Sequence, residues 1–85
     1  MKEYTFETSG VCSQEVSFAL DDNNRVHNVR FLGGCPGNLV AIGKLVEGAD
    51  AKQVAALLKG NDCAGKGTSC ADQLSRALTQ ALAGK

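Results

Sequence analysis

The 85-residue chain has no net charge, no tryptophan, one proline, one histidine and only 5% aromatic residues. Nine Lys and Arg balance nine Asp and Glu. The basic residues are scattered, so the sequence offers no electrostatic footprint for a nucleic-acid backbone or an anionic membrane. A long apolar run is also missing. The longest uncharged stretch near the middle, Phe31 to Gly43, contains Gly, Pro and Asn and is too short to cross a bilayer. Met1-Lys2-Glu3-Tyr4-Thr5-Phe6-Glu7 bears two acids and no apolar run, so it does not read as a signal peptide. A cytoplasmic location is the expectation. Repeats and linkers are lacking, and a length of this kind forms one core, so residues 1–85 read as a single domain.

What is present is ordinary globular composition, 44% apolar and 21% charged. A chain this short buries only roughly 60 to 65% of its unfolded surface, so domains of its size often lean on a metal, disulfides or a partner. Four cysteines are candidates for that staple. In a reducing compartment they are more often metal ligands or redox groups than structural disulfides.

Alternating apolar positions mark the first half: Tyr4 and Phe6, then Val16, Phe18 and Leu20, then Val29 and Phe31. This is the period of strands with one buried face. Asp21-Asp22-Asn23-Asn24 separates the second and third runs with residues that tolerate a tight hairpin turn. The pattern predicts an antiparallel meander over about residues 2 to 7, 14 to 20 and 25 to 32. Beyond Gly33-Gly34 the period becomes helical. Leu39, Ile42 and Val46, flanked by Val40 and Leu45, predict a helix from near Pro36 or Asn38 to Gly48. Asp50 and Gln53 have capping spacing and open a helix that turns Val54, Leu57 and Leu58 inward and stops at Gly60. Ser69 and Asp72 repeat the spacing ahead of the stripe Ala71, Leu74, Leu78, Ala81 and Leu82. Strands first and helices after predicts an α+β fold, a three-stranded meander followed by about three helices packed on one face.

Cys12, Cys35, Cys63 and Cys70 lie 23, 28 and 7 residues apart, so no pair forms a CxxC knuckle. Folded at the Asp22-Asn23-Asn24 turn, the second hairpin brings Cys12 and Cys35 to the same end of the sheet. Cys70 opens the last helix, where backbone N–H groups and the dipole favour a thiolate, and Cys63 lies in the glycine-rich segment leading to it. Converging, the four make a tetrahedral sulfur site suited to zinc or to an iron–sulfur cluster. Disulfide or redox pairing, and cysteines dispersed as small core hydrophobes, are the other readings.

Gly60 to Gly67, GNDCAGKG, approaches the phosphate-binding G-x-x-x-x-G-K-[ST] pattern but lacks the final hydroxyl and follows a helix, so it reads as the segment presenting Cys63. His27 lies eight residues before Cys35 on an extended strand, roughly 26 Å away at ~3.3 Å per residue, so it cannot share the sulfur site. With no carboxylate near it in the expected fold, it reads as a surface or sheet-face residue. Asp72 reads as a cap reciprocal with Ser69, and Lys66 as a solvated cation.

Thr68-Ser69-Cys70-Ala71-Asp72, with Gly33-Gly34-Cys35-Pro36-Gly37-Asn38 upstream, resembles the TSCPD domain family of small stand-alone proteins and C-terminal domains of adenosylcobalamin-dependent ribonucleotide reductases. Ala71 stands where that motif has proline, and a first helical turn accepts either. The resemblance implies an accessory module, with a ribonucleotide reductase as protein partner and ribonucleoside-diphosphate reduction as context. The chain has no room for a reductase's substrate barrel and is not an enzyme on its own. A more distant similarity is to NifU-like iron–sulfur scaffolds, which implies their fold. It places Cys12, Cys35 and Cys70 on the three scaffold cysteines and Arg30-Phe31 on an Arg-Phe pair. Gln14 and Ser69 replace that family's acidic residue and its frequent histidine. A fourth sulfur, Cys63, points to a closed site that holds its metal.

Overall fold

A computed structural model describes residues 1–8, 13–33, 36–60 and 69–84. Three strands, β1 (Lys2–Glu7), β2 (Ser13–Leu20) and β3 (Val26–Gly33), precede three helices, α1 (Pro36–Val46), α2 (Ala51–Leu58) and α3 (Cys70–Ala83). The sheet is an antiparallel meander in the order β1-β2-β3. This is the α+β arrangement that the two periods predict.

Strand alternation sends Val16, Phe18 and Leu20 into the core, where Leu74 and Leu78 of α3 are wholly buried. Tyr4 pairs with Phe18 across β1 and β2, and their rings stack at 5.5 Å. On the opposite face, Thr5, Ser17 and Arg30 form one row across the sheet. The hairpin turn is organised by Asp21, whose Oδ1 accepts from the N–H groups of Asn23 (2.9 Å) and Arg25 (3.0 Å), with Asn24 in the left-handed region at φ 59°. An Asx-type turn of this kind is what Asp and Asn side chains stabilise.

Two irregularities interrupt the β2–β3 ladder, one between Ser13 and Glu15, the other between Ser17 and Ala19. The first puts an extra residue, Gln14, on β2; the second puts an extra residue on β3, where Asn28 is left-handed at φ 55°. Such bulges sharpen local twist. Because they fall on opposite strands they offset each other, and Ser13 and Gly33 are direct partners.

Helix α1 packs on β3, approaching so closely at Gly43 that a Cβ there would lie 3.0 Å from the Val29 carbonyl oxygen. The segment after α1 pairs with the hairpin: Val26 N–H donates to Ala49 O (2.8 Å), Gly48 N–H to Val26 O (2.7 Å), and Ala51 N–H to Asn24 O (2.9 Å). Asp50 caps α2, accepting from Gln53 N–H at 3.0 Å. One expectation fails. Leu57 is 82% exposed, and the inward face of α2 is Ala51, Val54 and Ala55. Close packing on α3, where Ser75 Oγ donates to Ala55 O at 2.6 Å, admits small side chains and leaves the larger leucine outside.

Candidate functional site

Of the four cysteines expected to converge, Cys12, Cys35 and Cys63 lie outside the described residues, as do Lys66 and the GNDCAGKG segment beyond Gly60. The elements that lead into them are described. Ser13, immediately after Cys12, pairs with Gly33, two residues before Cys35. Pro36, immediately after Cys35, opens α1, whose other end lies against His27 and Asn28 through Glu47, so α1 runs antiparallel to β3. Cys70 is the first residue of α3 and is buried, 8% exposed.

The direction of α3 follows from its neighbours. Phe6 and Glu7 share a groove with Gln73 and Arg76, whereas Asn23 and Asn24 share one with Leu82 and Ala83. Its first turn therefore stands at the end of the sheet where Glu7 pairs with Glu15, the end that also carries Ser13 and Gly33. Helix α2 starts beside Asn24 and ends at this same pole, because Gly60 N–H donates to Asp72 Oδ1 at 2.7 Å. The described residues nearest in sequence to the cysteines, Ser13, Gly33, Gly60 and Cys70 itself, thus stand at a single pole.

The first turn of α3 is built as its spacing predicts. Ser69 Oγ accepts from Asp72 N–H at 3.0 Å, satisfying a backbone donor that the helix itself leaves over. The Asp72 carboxylate reaches beyond the helix start. Besides receiving Gly60 N–H, it accepts from Arg76 Nε at 2.9 Å on the next turn of the helix. Among the described residues, no group of three or more His, Cys, Asp or Glu side chains is arranged to hold a metal ion. Helix α2 precedes Gly60, the first residue of the GNDCAGKG run, as the sequence predicts.

His27 needs correction. The sequence reading left it without a nearby carboxylate, but its Nε2 lies 2.8 Å from Asp21 Oδ2 and its Nδ1 2.7 Å from Glu47 Oε2. Two ionised carboxylates can only accept, so both contacts are hydrogen bonds when both ring nitrogens donate, an arrangement that favours the protonated imidazole. The hydrogen bond to Asp21, then that to Glu47, raises the His27 pKa above its ordinary 6.5. Asp21 falls to about 2, first through the Arg25 N–H and then through His27. Glu47 is lowered by the Asn28 N–H on its Oε1 (2.9 Å), then by His27. The cluster joins the hairpin turn, the β3 bulge and the end of α1, at the pole opposite Cys70. His27 lies six positions after Asp21 along the hairpin, a local signal. Glu47 comes from a distant element, and nothing in the sequence pattern pairs the two.

Comparison with known proteins gives one positive result: a family model described as the TSCPD domain matches residues 2–82, nearly the whole chain. No curated protein and no solved structure matches significantly. No helix among the described residues is long and apolar enough to cross a membrane.

Proposed function

The chain belongs to the TSCPD domain family, and on that premise we propose that it is a non-catalytic metal-binding accessory module that holds one zinc ion through Cys12, Cys35, Cys63 and Cys70. The observation that supports this reading is that the described residues nearest in sequence to the cysteines stand at one pole, with Ser13 opposite Gly33 and Gly60 tied to the first turn of α3. The donor chemistry fits a sulfur site. Asp72 is committed to Gly60 and Arg76, and His27 is held between two carboxylates at the far pole, so neither stands ready as an oxygen or nitrogen ligand. Four thiolates form a closed site of the structural kind, which supplies folding energy and has no open position for catalysis. A cytoplasmic setting, where thiols stay reduced, suits such a site. By family resemblance its partner is a ribonucleotide reductase, which it would support during ribonucleoside-diphosphate reduction.

Elemental analysis of anaerobically purified protein tests the reading. One zinc per chain in a colourless sample is the expected result. Brown protein containing iron and sulfide would replace zinc with a cluster and the accessory role with that of a scaffold or carrier. Metal-free protein with thiols that react with disulfides would replace both with a thiol–disulfide partner. Because metal binding at a structural site is coupled to folding, Cys35→Ser and Cys70→Ser each lose the metal and unfold at lower temperature. Unchanged melting of both variants would refute the site.

A further inference from the structure

We propose that the outer edge of β3 beyond Asn28 takes up an extended acidic segment of a partner protein as a fourth strand, with one apolar side chain of that segment seated beneath α1. This role is independent of the sulfur site.

The sheet order β1-β2-β3 makes β3 an edge strand. An edge presents N–H and C=O groups that can template another strand, and proteins usually cover or twist it away. On β3 the cover is partial. At its start, Val26 exchanges backbone bonds with Gly48 and Ala49, and Asn28 N–H donates to Glu47. Beyond Asn28, among the described residues, no backbone bond joins β3 to any element other than β2. Leu32, in this stretch, is 55% exposed.

Helix α1 packs on β3 and supplies a wall beside this edge. The groove between them is lined by Phe31, Leu39 and Val40, with Gly43 close against Val29. Leu39 is buried and Val40 is 57% exposed, so an apolar recess opens to a reachable mouth. Residues directly opposite each other on paired strands share a face. A residue added opposite Phe31 therefore points into the groove, and one opposite Arg30 points to the open face of the sheet, where Arg30 shares a cleft with Thr5 and Ser17. Main-chain bonds supply affinity in this mode of recognition, and the alternate side chains supply specificity.

Charge selects the occupant. Arg30, Lys44 and Glu47 border the groove. Glu47 is engaged through both oxygens, by Asn28 N–H and by His27. Arg30 and Lys44 are exposed and form no ion pair among the described residues. The uncommitted charges are thus both positive. A second copy offering the same edge would crowd four cations around one axis, whereas an acidic strand neutralises them. The favoured segment has an apolar residue opposite Phe31, an acid opposite Arg30 and a second acid opposite Val29, where Lys44 reaches it from α1.

Full-length protein is panned against a phage-displayed library of random linear peptides, and enriched sequences are synthesised with a fluorescent label for anisotropy titration. The expected peptides share one apolar and two acidic residues in succession, and their binding weakens as salt rises. Arg30→Gln and Lys44→Gln are each expected to weaken binding about 2- to 5-fold. Val40→Asp, which breaks the apolar wall and adds a like charge, is expected to abolish it, and Lys52→Gln on α2 to leave it unchanged. All four side chains are exposed, so melting temperatures should stay at the wild-type value. Amide hydrogen exchange in residues 29–33 should slow when peptide binds. No enrichment, enrichment of basic or uncharged peptides, or binding indifferent to Arg30, Lys44 and Val40 overturns the proposal. A dimer in sedimentation that Val40→Asp dissociates overturns it in favour of a second copy. Metal content enters none of these readouts, so the zinc reading stands or falls separately.

Discussion

Gly43 poses a contest whose sign can be worked out. It sits inside α1, where glycine costs roughly 1 kcal/mol relative to alanine. On propensity alone, Gly43→Ala should stabilise the protein. Against this, the new Cβ would lie 3.0 Å from the Val29 carbonyl oxygen, closer than carbon and oxygen comfortably pack. The neighbour is backbone and cannot swing aside. Val29 follows the left-handed Asn28 of the bulge, and Asn28 N–H is held by Glu47, four residues beyond Gly43 and just past the end of α1. Helix and bulge are therefore fastened to each other, and relief requires moving α1 away from β3. Overpacking of this kind costs about 1 to 3 kcal/mol, which exceeds the propensity gain over most of that range. The expected net loss is about 1 kcal/mol, a fall in melting temperature of roughly 4 to 8 °C for a domain of this size. Circular-dichroism melts of wild type and variant measure it. A variant that melts higher than wild type would show that propensity wins and that α1 does not bear on Val29 as tightly as described.

Two further outcomes follow from the same packing. His27, raised above 6.5 by its two carboxylates, contributes stability that is fully present at pH values below 6.5 and is lost as pH climbs through the raised value. Asp21 and Glu47, both lowered, contribute stability present above their ordinary 3.8 and 4.5 and lost as pH falls, in the case of Asp21 toward about 2. The advantage of wild type over His27→Gln in melting temperature should therefore be largest between about pH 5 and 6.5 and shrink on either side. An advantage independent of pH would refute the clamp. In the core, Leu78, 0% exposed, should lose about 2 to 5 kcal/mol on truncation to Ala. Leu57, 82% exposed, should stay within about 0.5 kcal/mol of wild type on the same change, and equal losses in thermal or urea melts would contradict the assigned inward face of α2.

The contrast between those leucines shows which features a sequence displays and which it hides. The strands were legible because side-chain period two and the Asp21 to Asn24 cluster are local, and observed β1 to β3 match the expected runs to within a residue or so. The caps at Asp50 and Ser69 were legible for the same reason. Leu57 was misplaced because hydrophobicity ranks leucine above alanine for burial, whereas the short distance between α2 and α3 selects on size. The β3 bulge left a trace that went unread. Val26 and Val29 both face the core although an uninterrupted strand would put them on opposite faces, and the extra residue at Asn28 restores them to one side. Glu47 could not have been paired with His27 from pattern alone, since only the docking of α1 brings them together. Hairpin symmetry accounts for the pairing of Ser13 with Gly33, the described residues nearest Cys12 and Cys35 on the two strands. The Gly60 to Asp72 bond ties the residue beyond the end of α2 to the first turn of α3 and has no signature in spacing.

The two poles of the domain face the same physical difficulty and meet it differently. A small core leaves the ends of its elements weakly held, because apolar burial there is least. At the turn pole the chain answers with local chemistry: Asp21 gathers two backbone N–H groups and His27, Glu47 gathers His27 and Asn28, and the α1–α2 connection adds backbone bonds to the hairpin. At the opposite pole stand Ser13, Gly33, Gly60 and the first turn of α3, the described residues that border the cysteine-bearing segments in sequence. Among the described residues, the ties across that end include the Ser13–Gly33 pairing, the Thr8 N–H to Gln14 O bond, and the bonds of Asp72 and Ser69. An ionic clamp needs partners placed by neighbouring elements, and it fades with pH. A metal held by thiolates can join segments far apart in sequence, and its binding energy becomes folding energy. On the proposed reading, four sulfurs at the pole away from the His27 clamp are the arrangement in which a metal contributes most to stability. On this reasoning, chelation should first loosen the Cys70 end of α3 and leave the His27 end ordered.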